Sequence, residues 1–337
     1  HIMRCLAFAD GIHDIGVGAL FVAKAPDPQI TNLIQIRGYG VETIPSMASA
    51  EDDARLTLQA AKRSGAKLII TDVCHNQALS LPVELNDYHR LLKENLFTIC
   101  IAGAGSIDIP ADIIVNPYAV TAVRDRSISQ GQTVLNGPSY FIFRREFITA
   151  ATSPREIAAQ ASRLLVTIGG GDDLCFTAKV IKALRMIERA DMELKVVVGA
   201  AFSDGLKSEI AKALEGFSGR YELLSHDANL AEAMLWADLA ITGDGLTKYE
   251  TAVTGTPNIM LSRPDSPDFL NREFAKAGTT LHLGDGCLVG VEMLAEKIES
   301  ALENFSLREA MSAQGKKLAD GKGIERILAA IPVEVLR

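Results

Sequence analysis

Hydrophobic and polar positions change period again and again along the chain. The opening residues, "HIMRCLAFADGI", set Ile2, Leu6, Ala9 and Ile12 at helical spacing, with Arg4 and Asp10 between them, and predict a helix. Continuous, β-branched runs then alternate with helical stripes. In the first half, 18–23, 41–46, 67–73, 96–103 and 111–117 predict strands, and 28–37, 50–64 and 83–94 predict helices. Gly65, directly after Lys62, Arg63 and Ser64, is a helix stop signal. The strand runs lack polar alternation, as expected of a parallel sheet covered on both faces. Residues 144–163 read as a connection, in which "TSPRE" sets a Thr/Ser cap before a proline at a helix start.

The second half repeats the alternation. Strands are predicted at 163–170, 193–200, 220–225, 237–243, 257–262 and 279–284, and helices at 174–190, 204–216, 229–236, 246–255 and 268–277. Two amphipathic helices and the segment "GKGIERILAAI" follow residue 288. This is the pattern of two doubly wound α/β (Rossmann-like) domains, 1–147 and 148–337. A ligand is then expected in a cleft where the strand C-termini of both domains face each other.

Composition narrows the function. A net charge of −8, spread along the 337 residues, argues against a nucleic-acid partner. Runs such as "KLIITDV" are far too short to form a transmembrane segment. Cys5, Cys74, Cys100, Cys175 and Cys287 show no C-x-x-C spacing, which suits buried thiols in a reducing cytoplasm. The six histidines show no metal-ligand spacing, so no metal site is expected.

Candidate chemistry gathers in the second half. In "ITGDGLTKYETAVTGTP" a strand ends in Gly243, Asp244 and Gly245, and a helix opens near Leu246 and Thr247 with Glu250 one turn on. Unpaired amides at a helix start bind phosphate, and glycines let backbone approach an anion. A carboxylate on the same face can accept ribose hydroxyls. The alternative is a Thr247–Glu250 capping box at an ordinary helix start. In "VTIGGGDDLCF", Gly169, Gly170 and Gly171 at a strand end make a second loop of this kind, or a tight structural turn; its spacing fits neither a P-loop nor a dinucleotide fingerprint. In "SHDANLAEAMLW", Asp227 or Asn229 can cap a helix that begins near Leu230.

The succession "GGGD", "VVVGAA" and "SHDANLAEAMLWADLAITGDGLTKYETAVTGTP" resembles the C-terminal half of the MurG-like GT-B superfamily. Within it the chain is most similar to the family of the pseudaminic-acid pathway UDP-sugar hydrolase and the spore-coat polysaccharide protein (PseG/SpsG type). "HIMRCLAFADGI" and "NGPSYFIFRREF" extend the likeness over the first half, and "MSAQGKKLADGKGIERI" over the tail. The resemblance implies a UDP-sugar substrate, release of UDP with inversion at the sugar C1, and no cofactor or metal. It implies that Glu250 binds the ribose, that the Gly243–Thr247 turn holds the pyrophosphate, that backbone near Leu230 reads uracil and that Gly169–Gly171 line the interdomain cleft. It makes His1 the general base, chemistry suited to a neutral imidazole near pH 7. It also implies a strand and a Gly-rich turn ahead of His1, so a missing first strand is expected. On the sugar side the pattern departs: "TDVCHNQ" keeps Asp72 but lacks the family's tyrosine, with His75 as a possible substitute, and Tyr249 stands for tryptophan. Three readings stay open: a hydrolase, a glycosyltransferase on the same frame, and a non-catalytic sugar-nucleotide-binding protein.

Overall fold

The computed structural model describes residues 1–72, 83–101, 109–119, 131–187 and 189–336. Two compact units divide the chain: His1–Arg145 together with Lys322–Arg337, and Glu146–Gly321.

The first unit begins with α1 (Ile2–His13) and runs through β1 (Leu20–Lys24), α2 (Pro28–Ile36), β2 (Gly40–Ile44), α3 (Ala50–Ser64), β3 (Leu68–Asp72), α4 (Val83–Lys93), β4 (Phe97–Ile101), β5 (Ile113–Asn116) and β6 (Thr133–Asn136). All pairings are parallel, in a two-stranded sheet β1-β2 and a four-stranded sheet β3-β4-β5-β6. Helix α1 serves both. Its Leu6 and Ala9 pack with Ile34 and Tyr39 against Phe21 and Val41 of the smaller sheet. Its Ala7, Phe8 and Ile12 pack with Ile99, Ile101 and Val115 of the larger one. Helix α3 starts where Ser49 Oγ accepts the Asp52 amide at 3.0 Å and stops at Gly65, whose φ of 70° suits glycine.

The second unit comprises α5 (Arg145–Ala151, entering from the first), β7 (Arg163–Thr167), α6 (Phe176–Met186), β8 (Glu193–Val198), α7 (Asp204–Leu214), β9 (Arg220–Ser225), α8 (Leu230–Trp236), β10 (Leu239–Gly243), α9 (Thr247–Thr254), β11 (Asn258–Ser262), α10 (Asp268–Lys276), β12 (Thr280–Asp285), α11 (Val291–Glu303) and α12 (Phe305–Leu318). One parallel sheet has the order β12-β11-β10-β7-β8-β9. Its order reverses between β7 and β10, and doubly wound sheets bind ligands at the C-terminal ends of strands at such a reversal. The residues of β10 and β11 are buried throughout. Leu164, Val166, Ile241 and Ile259 meet Val180, Leu294 and Ile298 of the covering helices. No helix among the described residues is long and apolar enough to cross a membrane.

Two sequence expectations are corrected. No helix starts at "TSPRE"; the helix, α5, lies before it, and 154–162 is irregular. Tertiary contacts hold that segment: the Arg155 guanidinium donates to the carbonyls of Met234 (3.1 Å), Leu235 (2.7 Å) and Ala237, and Ala158 O accepts from Arg308 at 2.7 Å. The tail, expected with the second domain, groups with the first unit from Lys322 onward. There α13 (Gly323–Ala329) adds Ile324 and Ile327 to the core under α1, and Arg326 donates to Ser139 O at 2.8 Å. A short last helix, α14 (Val333–Leu336), follows.

Candidate functional site

In the first unit the start of α1 meets the end of β3. His1 and Arg4 are one helical turn apart, so they share a face. His1 Nδ1 lies 2.7 Å from Asp72 Oδ1, and Arg4 Nε donates to Asp72 Oδ2 at 2.8 Å. Arg4 also donates to the Tyr118 hydroxyl at 2.9 Å. The Asp72 and Arg4 side chains are buried, whereas that of His1 is 48% exposed. Burial acts to lower the Arg4 pKa, but the hydrogen bonds and charges of Asp72 and Tyr118 outweigh it and leave it raised. The structure therefore brings the predicted His1 and Asp72 together, and adds Arg4 and Tyr118, which the sequence reading missed. The signal for Arg4 was its spacing from His1. Such a carboxylate fixes imidazole orientation: with Nδ1–H donated to Asp72, Nε2 is the basic nitrogen. Cys5 Sγ is 3.7 Å from the same carboxylate. Burial first, and Asp72 second, push its thiol up to about 12, which leaves it inert as a nucleophile at neutral pH. His75 lies outside the described residues.

In the second unit the two glycine loops turn out to be built differently. Gly169, Gly170 and Gly171 follow β7, and Asp172 closes the helix behind them. Its carboxylate accepts the amides of Phe176 at 2.8 Å and Thr177 at 2.7 Å, so the chain's own anion occupies the N-terminus of α6. The glycine run also receives the loop after β8. Gly170 O accepts from Ala201 N at 2.8 Å, and a Cβ on Gly199 would stand 2.5 Å from Gly169 O.

Among the described residues, helix α9 shows no side-chain cap of this kind. It begins at Thr247, with Leu246 at the cap position and no side-chain cap, so the Thr247–Glu250 capping box does not form. The Gly243–Thr247 turn runs into this uncapped end, and half-buried Glu250 sits on the same face as Thr247, one turn in. Such a terminus carries partial positive charge and unpaired donors. Gly243 answers to packing, since a Cβ there would lie 2.3 Å from Ile168 O. The Asp244 carboxylate turns inward, accepting from Asn271 Nδ2 at 2.9 Å and from Arg263 N at 3.4 Å. Asn271 Oδ1 in turn accepts from Lys248 Nζ at 2.6 Å. Burial pulls the Lys248 pKa down to about 8, with Asp244 acting against it. Neither Lys248 nor Asn271 carries a sequence signal that points here. Leu230 is the first residue of α8, behind Asn229, whose Oδ1 accepts the Glu232 amide at 3.1 Å.

Over 98% of its length the chain superposes on the crystal structure of Acinetobacter baumannii MurG, 95% of which is covered, with a TM-score of 0.70 and 13% identity. The fold is GT-B. The same GT-B frame matches UDP-GlcNAc 2-epimerase from Neisseria meningitidis bound to UDP-GlcNAc, with a TM-score of 0.63, 10% identity, and 99% and 96% of the two chains covered. In sequence, the chain is 29% identical over 213 residues to the spore coat polysaccharide biosynthesis protein SpsG of Bacillus subtilis (strain 168). That stretch is 62% of this chain and 61% of SpsG, so the match spans about three fifths of the relative's length. No family model matches the chain.

Proposed function

We propose that this GT-B protein is a nucleotide-sugar hydrolase acting on a UDP-activated deoxy amino sugar, of the UDP-2,4-diacetamido-trideoxyhexose type, in the cytoplasmic assembly of a surface polysaccharide. The observation that carries the reading is the uncapped start of α9 behind the Gly243–Thr247 turn, with Glu250 one turn inside it. Likeness to SpsG, named for spore coat polysaccharide biosynthesis, supports the pathway class. The fold shared with a UDP-GlcNAc-bound epimerase supports the ligand class.

In this scheme backbone amides from Gly243 to Thr247 (through Asp244, Gly245 and Leu246) face the diphosphate. Glu250 accepts the two ribose hydroxyls, and backbone at Leu230 pairs with uracil. His1, oriented by Asp72, takes a proton from water. The water oxygen bonds to the sugar C1, the bond from C1 to the diphosphate oxygen breaks with inversion, and UDP leaves. Gly169–Gly171 border the sugar without supplying an anion site, because Asp172 fills the helix behind them. Glycosyl transfer is the second reading, favoured by the His1–Asp72 pair itself, since such a base serves a sugar hydroxyl as well as water.

The test is UDP release from UDP-activated diacetamido-trideoxyhexose, with and without acceptor. Release without acceptor supports hydrolysis, release only with acceptor supports transfer, and tight binding without turnover leaves a binding protein. Glu250→Ala is expected to cost about 2–4 kcal/mol of UDP affinity through two lost charge-assisted hydrogen bonds. Calorimetry that finds unchanged UDP binding by the folded variant would remove Glu250 from the site.

A further inference from the structure

An acidic residue inside a diphosphate-binding turn is a contradiction in charge, and Asp244 is such a residue. A buried lysine with one neutral partner is a second anomaly, and Lys248 is one. It is 6% exposed, its described acceptor is the Asn271 amide oxygen at 2.6 Å, and its ammonium lies 5.8 Å and 5.6 Å from the ring centres of Tyr249 and Phe274. The two anomalies meet at one side chain. Asn271, 2% exposed, accepts from Lys248 through Oδ1. Through Nδ2 it donates to Asp244 Oδ2 at 2.9 Å and to Ser262 Oγ at 2.9 Å. Ser262 Oγ continues to His282 Nε2 at 2.7 Å, which locks the amide in place from β11 and β12.

We infer that the Lys248–Asn271–Asp244 relay draws the Asp244 carboxylate back and balances its charge, so that the turn accepts a diphosphate. Lys248 is thus a positioning residue that acts through Asp244 and does not touch the ligand. The physical logic is that of a buried ammonium and a half-buried carboxylate of opposite charge sharing a polar bridge. Removal of one strands the other, and the stranded charge does the damage. This inference rests on the reading of the Gly243–Thr247 turn as the diphosphate site.

Isothermal titration calorimetry with UDP tests it on three forms of the full chain: wild type, Lys248→Met, and Lys248→Met with Asp244→Asn, each first shown to be folded by circular dichroism. Lys248→Met keeps side-chain length and leaves Asp244 unbalanced, and should weaken UDP by about 10- to 30-fold. The double variant removes the stranded charge and should bind within about 3-fold of wild type. Equal affinity of Lys248→Met and wild type overturns the inference. So does a double variant as weak as the single one, which would mean that Lys248 only supports packing. Failure of wild type to bind UDP is a different result: it removes the diphosphate site and the inference with it. If Lys248→Met does not fold while the double variant folds and binds, the charge argument stands; if neither folds, Lys248 is a packing residue and the inference is overturned.

Discussion

Asp238 and Lys248 show two fates of a buried charge at the scale of single residues. Asp238, 4% exposed at the start of β10, accepts the amides of Ser162 and Arg163, both at 3.0 Å, and the Arg163 guanidinium at 2.7 Å. Burial pushes its pKa up, but these donors outweigh burial and leave it below the usual carboxylate value. The unfolded chain therefore takes up the proton first. The stabilisation is complete above an unfolded pKa of about 3.9 and is lost as pH falls toward the lower folded value. Urea midpoints of the second unit should drop below about pH 4, and more steeply in wild type than in Asp238→Asn. Parallel pH slopes for the two proteins would contradict this account. Lys248 runs the other way: its folded pKa near 8 lies below the ordinary lysine value, so its charged form weighs on the fold at neutral pH, and that burden lifts progressively as pH rises from about 8 to the ordinary lysine value.

Among elements, the two strand–glycine–helix units of the second sheet have the same sequence grammar and different ends. The Gly243 backbone packs so closely on Ile168 that a Cβ would lie 2.3 Å from its carbonyl oxygen. Gly243→Ala should therefore destabilise the protein by about 1–3 kcal/mol, the usual range for overpacking. A thermal melt with an unchanged midpoint would show that the approach is not as tight as described. From the sequence, β9 at Arg220–Ser225 and the stop of α3 at Gly65 could be read to the residue, because period and punctuation agree there. Strand β6 was not legible: Thr133–Asn136 is four residues long and has one buried position. The "TSPRE" segment gave a false helix start, since local capping chemistry competes there with the long-range claims of Arg155 and Arg308 on backbone carbonyls. Of the candidate site, the Gly243–Thr247 turn was visible as residue types at a strand end and a helix start, whereas His1 and Asp72 came from the family resemblance alone. The Asp172 plug, the Arg4 clamp and the Asn271 bridge depend on which side chain bends back, and periodicity carries no record of that.

At the scale of the whole molecule, the second unit is continuous in sequence, whereas the first is assembled from both sides of it. Ile324, Ile327 and Ile331 are buried in the core that holds Phe8 and Ile99. Each buried isoleucine stabilises by about 1.5–3 kcal/mol. Removal of residues 322–337 should therefore lower or abolish the melting transition of the first unit and leave that of the second in place. Calorimetry with unchanged transitions would refute the division. The same arrangement has a consequence for biosynthesis. At roughly 5–20 residues per second, the isoleucines that complete the core under α1 leave the ribosome about 15–60 s after α1 itself. The second unit is fully translated before they emerge. A released chain that ends at Gly321 should thus carry one protease-resistant unit and one with its apolar face still open, a natural client for a chaperone that binds incomplete chains.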